Sequence, residues 1–263
     1  LLAALLTMRP ASATLATVDF DPALSRAIEE AARGSGYRLP VLRRRRGPVV
    51  DCSRQSLEEY RSSLDRKFSK ELRRCQRRLE EVGPVTLEVA TAWDENLFEE
   101  GLALEAAGWK GRTGTAILAR AEDARFYREI ARWAGERGIL VLAALRAGEH
   151  RVAFELGLLD RGVYYALKGG FDPTYASFSP GNLLTYRMIE WVFLHGRAYE
   201  FLGDAEPYKL RFSTCCRTYL RIDAFRPTPV PTVVGHLLSG ARATIARDLA
   251  VRAMPSYVHP GPP

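Results

Sequence analysis

Residues 163–202 read VYYALKGG FDPTYASFSPGN LLTYRMIEWVFLHG RAYEFL, and their order decides the fold. Residues 163–169 are a run of aromatic and aliphatic side chains closed by a glycine pair, with the length and composition of a strand. Residues 170–179 read as loop, Pro180 opens a helix that runs to His195 and stops at Gly196, and residues 198–202 form a second short strand. Strand, loop, helix, strand is one crossover unit, the connection that lets two strands lie parallel.

Working outward, residues 139–146, 151–159 and 163–169 are three apolar runs joined by the tight turns 147–150 and 160–162, an antiparallel meander. Upstream lie a strand at 85–90, a helix at 94–107, the Gly-rich connection 108–114, and a helix at 119–136 that is expected to bury Phe126, Ile130 and Trp133. Residues 56–82 place Leu57, Tyr60, Leu64, Phe68, Leu72, Cys75, Leu79 and Val82 three or four apart, which predicts one long helix stopped by Gly83-Pro84. Its other faces carry Arg66, Lys67, Lys70, Arg73, Arg74, Arg77 and Arg78 against Glu71 alone. Residues 1–50 read as a small α/β piece with a helix from Pro22 to Ala32, ending in a loop that holds the basic run Arg43-Arg44-Arg45-Arg46. Downstream are a strand at 218–225, a helix marked by Val233, Leu237, Leu238, Ala241 and Ile245, and a Pro-rich tail at 255–263 expected to be flexible. An antiparallel run feeding a single crossover argues for a mixed α/β (α+β) sheet and against a doubly wound or barrel fold.

The 263 residues are 47% hydrophobic, enough to build a sizeable core, and 38 Lys+Arg against 31 Asp+Glu give a formal charge of +7. No run approaches the ~20 apolar residues of a membrane-spanning helix. The four cysteines (Cys52, Cys75, Cys215, Cys216) make no disulfide framework and fit a reducing compartment. Leu1–Leu6 has no basic leader and is interrupted by Arg9-Pro10, so it reads as a domain edge and not a signal peptide. No Rossmann fingerprint, Walker loop or nucleophile elbow is present, and the four histidines stand apart, so neither dinucleotide nor P-loop chemistry nor a metal site is expected.

Ser179-Pro180-Gly181-Asn182 opens a helix whose first-turn amides could cradle a pyrophosphate, although the same residues would also serve as an ordinary helix start. Gly203-Asp204-Ala205-Glu206-Pro207-Tyr208-Lys209 puts two carboxylates, a phenol and an amine on one loop after a strand, where acid/base work is commonly done. Glu155 lies on a central strand among small residues, where it needs a partner or a cleft. Lys168 ends another strand and could approach an anion, and Trp109-Lys110 could form a lid over a substrate.

Taken together, Arg73-Arg74 with Arg77-Arg78-Leu79-Glu80, Gly108-Trp109-Lys110-Gly111 with Gly114-Thr115-Ala116-Ile117, Ala153-Phe154-Glu155-Leu156, Gly170-Phe171-Asp172-Pro173 with Tyr175, Ser179-Pro180-Gly181, and Phe201-Leu202-Gly203-Asp204 with Glu206-Pro207-Tyr208-Lys209 resemble the cellulose-biosynthesis-associated (CelD/BcsL-like) acetyltransferases of the GNAT superfamily. The resemblance covers residues 50–225. It implies a GNAT fold, a mostly antiparallel splayed sheet flanked by helices, with residues 51–228 as the acyltransferase domain, 1–50 as the remnant of a degenerate N-terminal GNAT-like half, and 229–263 as a C-terminal helix and tail. It further implies acetyl-CoA or another acyl-CoA as cosubstrate, no metal, and direct transfer to an amine or amino sugar in exopolysaccharide or envelope metabolism. The site is expected to be cytoplasmic or at the inner face of the membrane.

By the same resemblance Ser179, Gly181, Asn182 and Leu183 would surround the donor's pyrophosphate, and Asp204, Glu206 and Tyr208 would stand at the reacting centre. From type and position, Lys168 and Pro180 are added to the donor site, Glu155 to the catalytic candidates, and Trp109, Lys110 and Lys209 to the acceptor side. The phosphate loop departs from the superfamily pattern at Phe178 and Leu183, which leaves backbone amides as its donors. The group is also akin to FemAB-like transferases, which use aminoacyl-tRNA, so the basic helix at 66–78 offers an alternative as a tRNA-facing surface. A non-catalytic module in polysaccharide assembly is the third reading.

Overall fold

The computed structural model describes residues 12–19, 22–36, 38–225 and 256–257. In chain order these form β1 (Ser12–Asp19), α1 (Pro22–Gly34), β2 (Arg38–Asp51), α2 (Leu57–Ser63), α3 (Arg66–Glu80), β3 (Val85–Ala90), α4 (Glu95–Ala107), α5 (Trp109–Arg112), α6 (Ala121–Glu136), β4 (Leu140–Ala147), β5 (His150–Asp160), β6 (Val163–Phe171), α7 (Pro180–His195), β7 (Ala198–Glu200), α8 (Pro207–Leu210), β8 (Cys215–Phe225) and β9 (Ser256–Tyr257). Short 3-10 turns lie at Ile117–Ala119 and Pro173–Phe178. Two compact units result, Val50–Phe201 and a second built from Leu1–Val49 with Leu202–Pro263.

In the Val50–Phe201 unit the sheet runs β3-β4-β5-β6-β7. Its first three pairings are antiparallel and β6–β7 is parallel, as the meander and the single crossover require. One face of this sheet is covered by α4 and α6, whose Leu97, Phe98, Leu102, Ala124, Ala131 and Ala134 pack with Leu142, Phe154 and Leu156. The other face receives α7, where Leu184, Met188, Ile189 and Val192 are buried. Burial of these side chains, at roughly 1.5–3 kcal/mol each, is what holds the layers together.

Several local expectations are corrected. The long helix expected at 56–82 is two helices, because Asp65 accepts a hydrogen bond from the Phe68 amide and caps a fresh start, while Ser56 and Glu59 form a capping box at the first. Two of the three residues expected on the core face of α6 are turned outward: Phe126 is 55% and Trp133 44% exposed, while Ile130 is partly buried and Ala124, Ala131 and Ala134 face the sheet. Small side chains let that helix approach closely, and its bulky stripe has the same period one or two residues out of phase. The Gly-rich connection contains the helical turn α5.

In the other unit β8 is flanked by β1 and β2, both antiparallel to it. The basic run expected in a loop lies in β2 instead, with Arg43 opposite Arg221 and Arg46 opposite Thr218, because an eleven-residue β8 supplies the ladder for it. Ser256–Tyr257 of the expected flexible tail pair in parallel with Cys216–Arg217. The helix expected near Val233–Ile245 lies outside the described residues. Among the described residues no helix is long and apolar enough to cross a membrane, and all four cysteines are free thiols.

Candidate active site

Strand β6 has two different edges. Along β5 it pairs over its full length, whereas β7 accompanies it only from Val163 to Tyr165. Beyond Tyr165 the β7 side of β6 has no strand partner among the described residues, so the sheet splays there, and the β5–β6 ladder is itself irregular between Leu156 and Gly157. The splay leads toward the start of α7.

That helix start is open. Ser179 adopts a left-handed conformation (φ 51°) and its side chain makes no capping bond. Pro180 has no N–H, and the Leu183 amide donates to the Ser179 carbonyl at 3.1 Å, which leaves Gly181 and Asn182 as the first-turn donors without a helical acceptor. A Cβ on Gly181 would stand 3.3 Å from the Phe171 ring, so a larger residue would press into this corner. The first turn therefore fits an anionic phosphate through two amides and the helix dipole. Phe178 packs beneath the Arg78 guanidinium (5.1 Å to the ring centroid), and Arg78 donates to the Ser177 carbonyl. Leu183 is buried. The two residues that depart from the expected phosphate loop are thus packing residues.

Glu155, 8% exposed, is the carboxylate that sequence placed on a central strand. It has found partners that sequence did not name. The Tyr164 hydroxyl donates to Oε1 at 2.9 Å, and the Tyr199 hydroxyl lies 2.9 Å from both oxygens. Gly157 makes this possible, since a Cβ there would fall 2.3 Å from the Tyr164 ring. Burial pushes the Glu155 carboxyl up to about 7 while the two phenols hold it down. A carboxylate that exchanges its proton near neutrality is suited to general base work. The three residues come from three strands, and the only sequence signal for the cluster was the pairing of 163–165 with 198–200 that a parallel crossover implies.

Lys110 is held inside. Its Nζ donates to the Gly169 carbonyl at 2.7 Å and stands 3.1 Å from Oε1 of the buried Glu105, whose Oε2 accepts from the Ile117 amide. This clamp ties α5 and the turn after it to the end of β6. Gly170 next to it must lack a side chain, because a Cβ would lie 2.4 Å from the Glu105 Cα. Lys168 rests its ammonium over the Tyr127 ring (5.4 Å to the centroid). Nothing is described for the Trp109 side chain.

The expected catalytic loop belongs to the second unit. Leu202 and Gly203 are both left-handed (φ 53° and 65°), and the Tyr219 hydroxyl donates to the Gly203 carbonyl. Lys209 is buried, donates to the carbonyls of Leu202 and Asp204, and stands 3.7 Å from a Glu206 oxygen. The loop that carries Asp204, Glu206 and the exposed Tyr208 is therefore fixed from within by Lys209.

Residues 66–210 match the sequence profile of the acetyltransferase (GNAT) domain. The chain belongs to the GNAT acetyltransferase family. Among solved structures this GNAT protein is similar to FemX, at 14% identity over 84% of this chain and 76% of that one, with a TM-score of 0.53. It is also similar to the C-terminal domain of a putative lysylphosphatidylglycerol synthetase from Agrobacterium fabrum (13% identity, 89% and 72% covered, TM-score 0.49) and to L-PGS from Bacillus licheniformis (14%, 86% and 71%, 0.48). At 14% identity the likeness to FemX is one of fold. Among curated proteins none matches the sequence. The GNAT fold supports a transferase, and GNAT domains generally use acyl-CoA.

Proposed function

We propose that this GNAT protein is an N-acyltransferase that moves an acetyl or other acyl group from acyl-CoA to an amine or amino sugar in exopolysaccharide or envelope metabolism. The observation that carries the reading is the open first turn of α7 at the end of a splayed β6–β7 pair, inside the matched GNAT segment. An acyl-CoA, when bound, supplies a thioester carbonyl as electrophile. Gly181 and Asn182 hold its phosphates through their amides, and the unpartnered edge of β6 offers backbone groups to its amide arm. Glu155 takes up the acceptor's proton through Tyr199, whose hydroxyl already donates to the carboxylate. Asp204, Glu206 and Tyr208, on a loop that Lys209 shapes from within, are a second set of acid/base candidates, and Lys110 shapes its own loop from within. The acceptor class rests on the likeness to the cellulose-biosynthesis-associated group.

The test is a thermal-shift titration with acetyl-CoA on the protein and on Gly181→Trp. A ligand at ~100 times its Kd stabilises by ~2.7 kcal/mol, and that gain is expected to vanish in the variant. No stabilisation by millimolar acetyl-CoA would overturn the donor assignment and favour the aminoacyl-tRNA-dependent or non-catalytic alternatives. Full activity in Glu155→Gln would move the base to Glu206 or Asp204, whose amide variants should then lower kcat more than KM.

A further inference from the structure

Helices α2, α3 and α7 enclose a groove of about 660 Å³ on the Val50–Phe201 unit. Four guanidiniums line it, Arg61, Arg66, Arg73 and Arg187, and they fall into two pairs. Arg61 and Arg187 are already matched: both reach Glu190, at 2.6 and 3.3 Å, and Glu58 stands 3.9 Å from Arg61. Arg66 and Arg73 make no ion pair or hydrogen bond among the described residues. They are seven residues apart, two turns along the same face of α3, and Ser69 lies between them on that face. The Ser69 hydroxyl is buried and has no hydrogen-bond partner among the described residues. A buried hydroxyl left unsatisfied is destabilising, and here it stands between two uncompensated cations at the wall of a cavity.

Ser62 and Gln76 complete the polar lining, and the floor of the groove is apolar. Leu72 and Leu183 are buried beneath the groove, Leu64 is partly buried beside them, and Tyr186 lines the same side. Two forked donors and a hydroxyl above an apolar floor match a tetrahedral oxyanion attached to a carbon body.

We propose that this groove binds a phosphate ester, with Arg66 and Arg73 on the phosphoryl oxygens, Ser69 donating between them, and the leucines taking the apolar part. The site stands apart from the acyl-donor reading and shares only Leu183 with the first turn of α7. The phosphate ester has two sources, a soluble metabolite or the headgroup of an anionic phospholipid.

Isothermal titration with phenyl phosphate, on the full chain, on Arg66→Gln with Arg73→Gln, on Ser69→Ala and on Gly181→Trp, tests it. Saturable binding is expected, weakened about tenfold or more in the double variant, less in Ser69→Ala, and unchanged in Gly181→Trp. Ser69→Ala should also melt higher than the parent, since it removes the unsatisfied hydroxyl, so lost affinity there is not lost folding. Flotation with phosphatidylglycerol against phosphatidylcholine vesicles separates the sources: selective capture that fails in the double variant assigns a headgroup, and phenyl phosphate binding without capture assigns a soluble ester. Equal phenyl phosphate affinity in the double variant, or no binding of either probe, overturns the proposal. So does loss of acetyl-CoA binding in the double variant, which would make the groove the outer end of the donor site. Binding of single-stranded RNA alone, steeply weakened by salt, overturns it in favour of a polynucleotide surface.

Discussion

Two buried carboxylates of the same sheet unit are handled in opposite ways. Glu105, on α4, is matched by the Lys110 ammonium at 3.1 Å and by the Ile117 amide, and the outcome is a clamp that ties α5 and the turn after it to β6. Glu155, on β5, has two phenols and no cation among its bonds. A charge partner fixes an ionised carboxylate in place, whereas phenols satisfy its hydrogen bonding without cancelling the cost of its charge, so Glu155 remains titratable near neutral pH. One arrangement holds the loop, the other holds a proton.

Breaking the clamp should have the largest effect. Lys110→Ala leaves Glu105 buried without its cation and is expected to destabilise the protein by about 3–5 kcal/mol in urea unfolding. Lys110→Met with Glu105→Gln should recover most of that, because the pair is then replaced by neutral groups. A clamp that contributes nothing would leave the single variant near parent stability.

Glu155→Gln should act in the opposite direction. The folded carboxyl titrates at about 7 and the ordinary value is 4.5, so between these pH values the unfolded chain has released a proton that the folded chain still holds. Stability on this account is complete below about pH 4.5, falls as pH rises toward 7, and is level above. The glutamine variant should lack that fall and be more stable at pH 8 by up to about 3 kcal/mol, as read from melts across the pH range. An unchanged pH slope would show that Glu155 ionises freely in the folded state.

The smallest effect sharpens the same point. Tyr199→Phe removes a phenol that holds the Glu155 carboxyl down. Its pKa should rise further, with a stability loss of about 1 kcal/mol at acid or neutral pH. Observation of the Glu155 carboxyl carbon by NMR titration follows the proton directly.

How much of this could be read from the chain depends on how local the signal is. Pro180 and Gly196 bracket α7 at both ends, and the turns at 148 and 162 fix the meander, because proline and glycine act on their own backbone. The break at Asp65 was hidden, since the apolar spacing through Tyr60, Leu64 and Phe68 continues across it. The buried face of α6 was misread because an alanine stripe and an aromatic stripe share one period, and only the sheet decides between them. At the site, Glu155, Lys110 and the α7 start were singled out by type and position. Tyr164, Tyr199 and Glu105 were not, because their roles arise from partners on other strands and helices.

The unequal edges of β6 also set how the sheet bears load. Against β5 the strand is held by a ladder that would have to slide as a whole, while against β7 three residue pairs stand at one end and can be peeled in turn. Separating β6 from β7 therefore breaks three residue pairs one after another, and the hydrogen bonds from Tyr199 on β7 to Glu155 on β5 are the tie that spans the short edge.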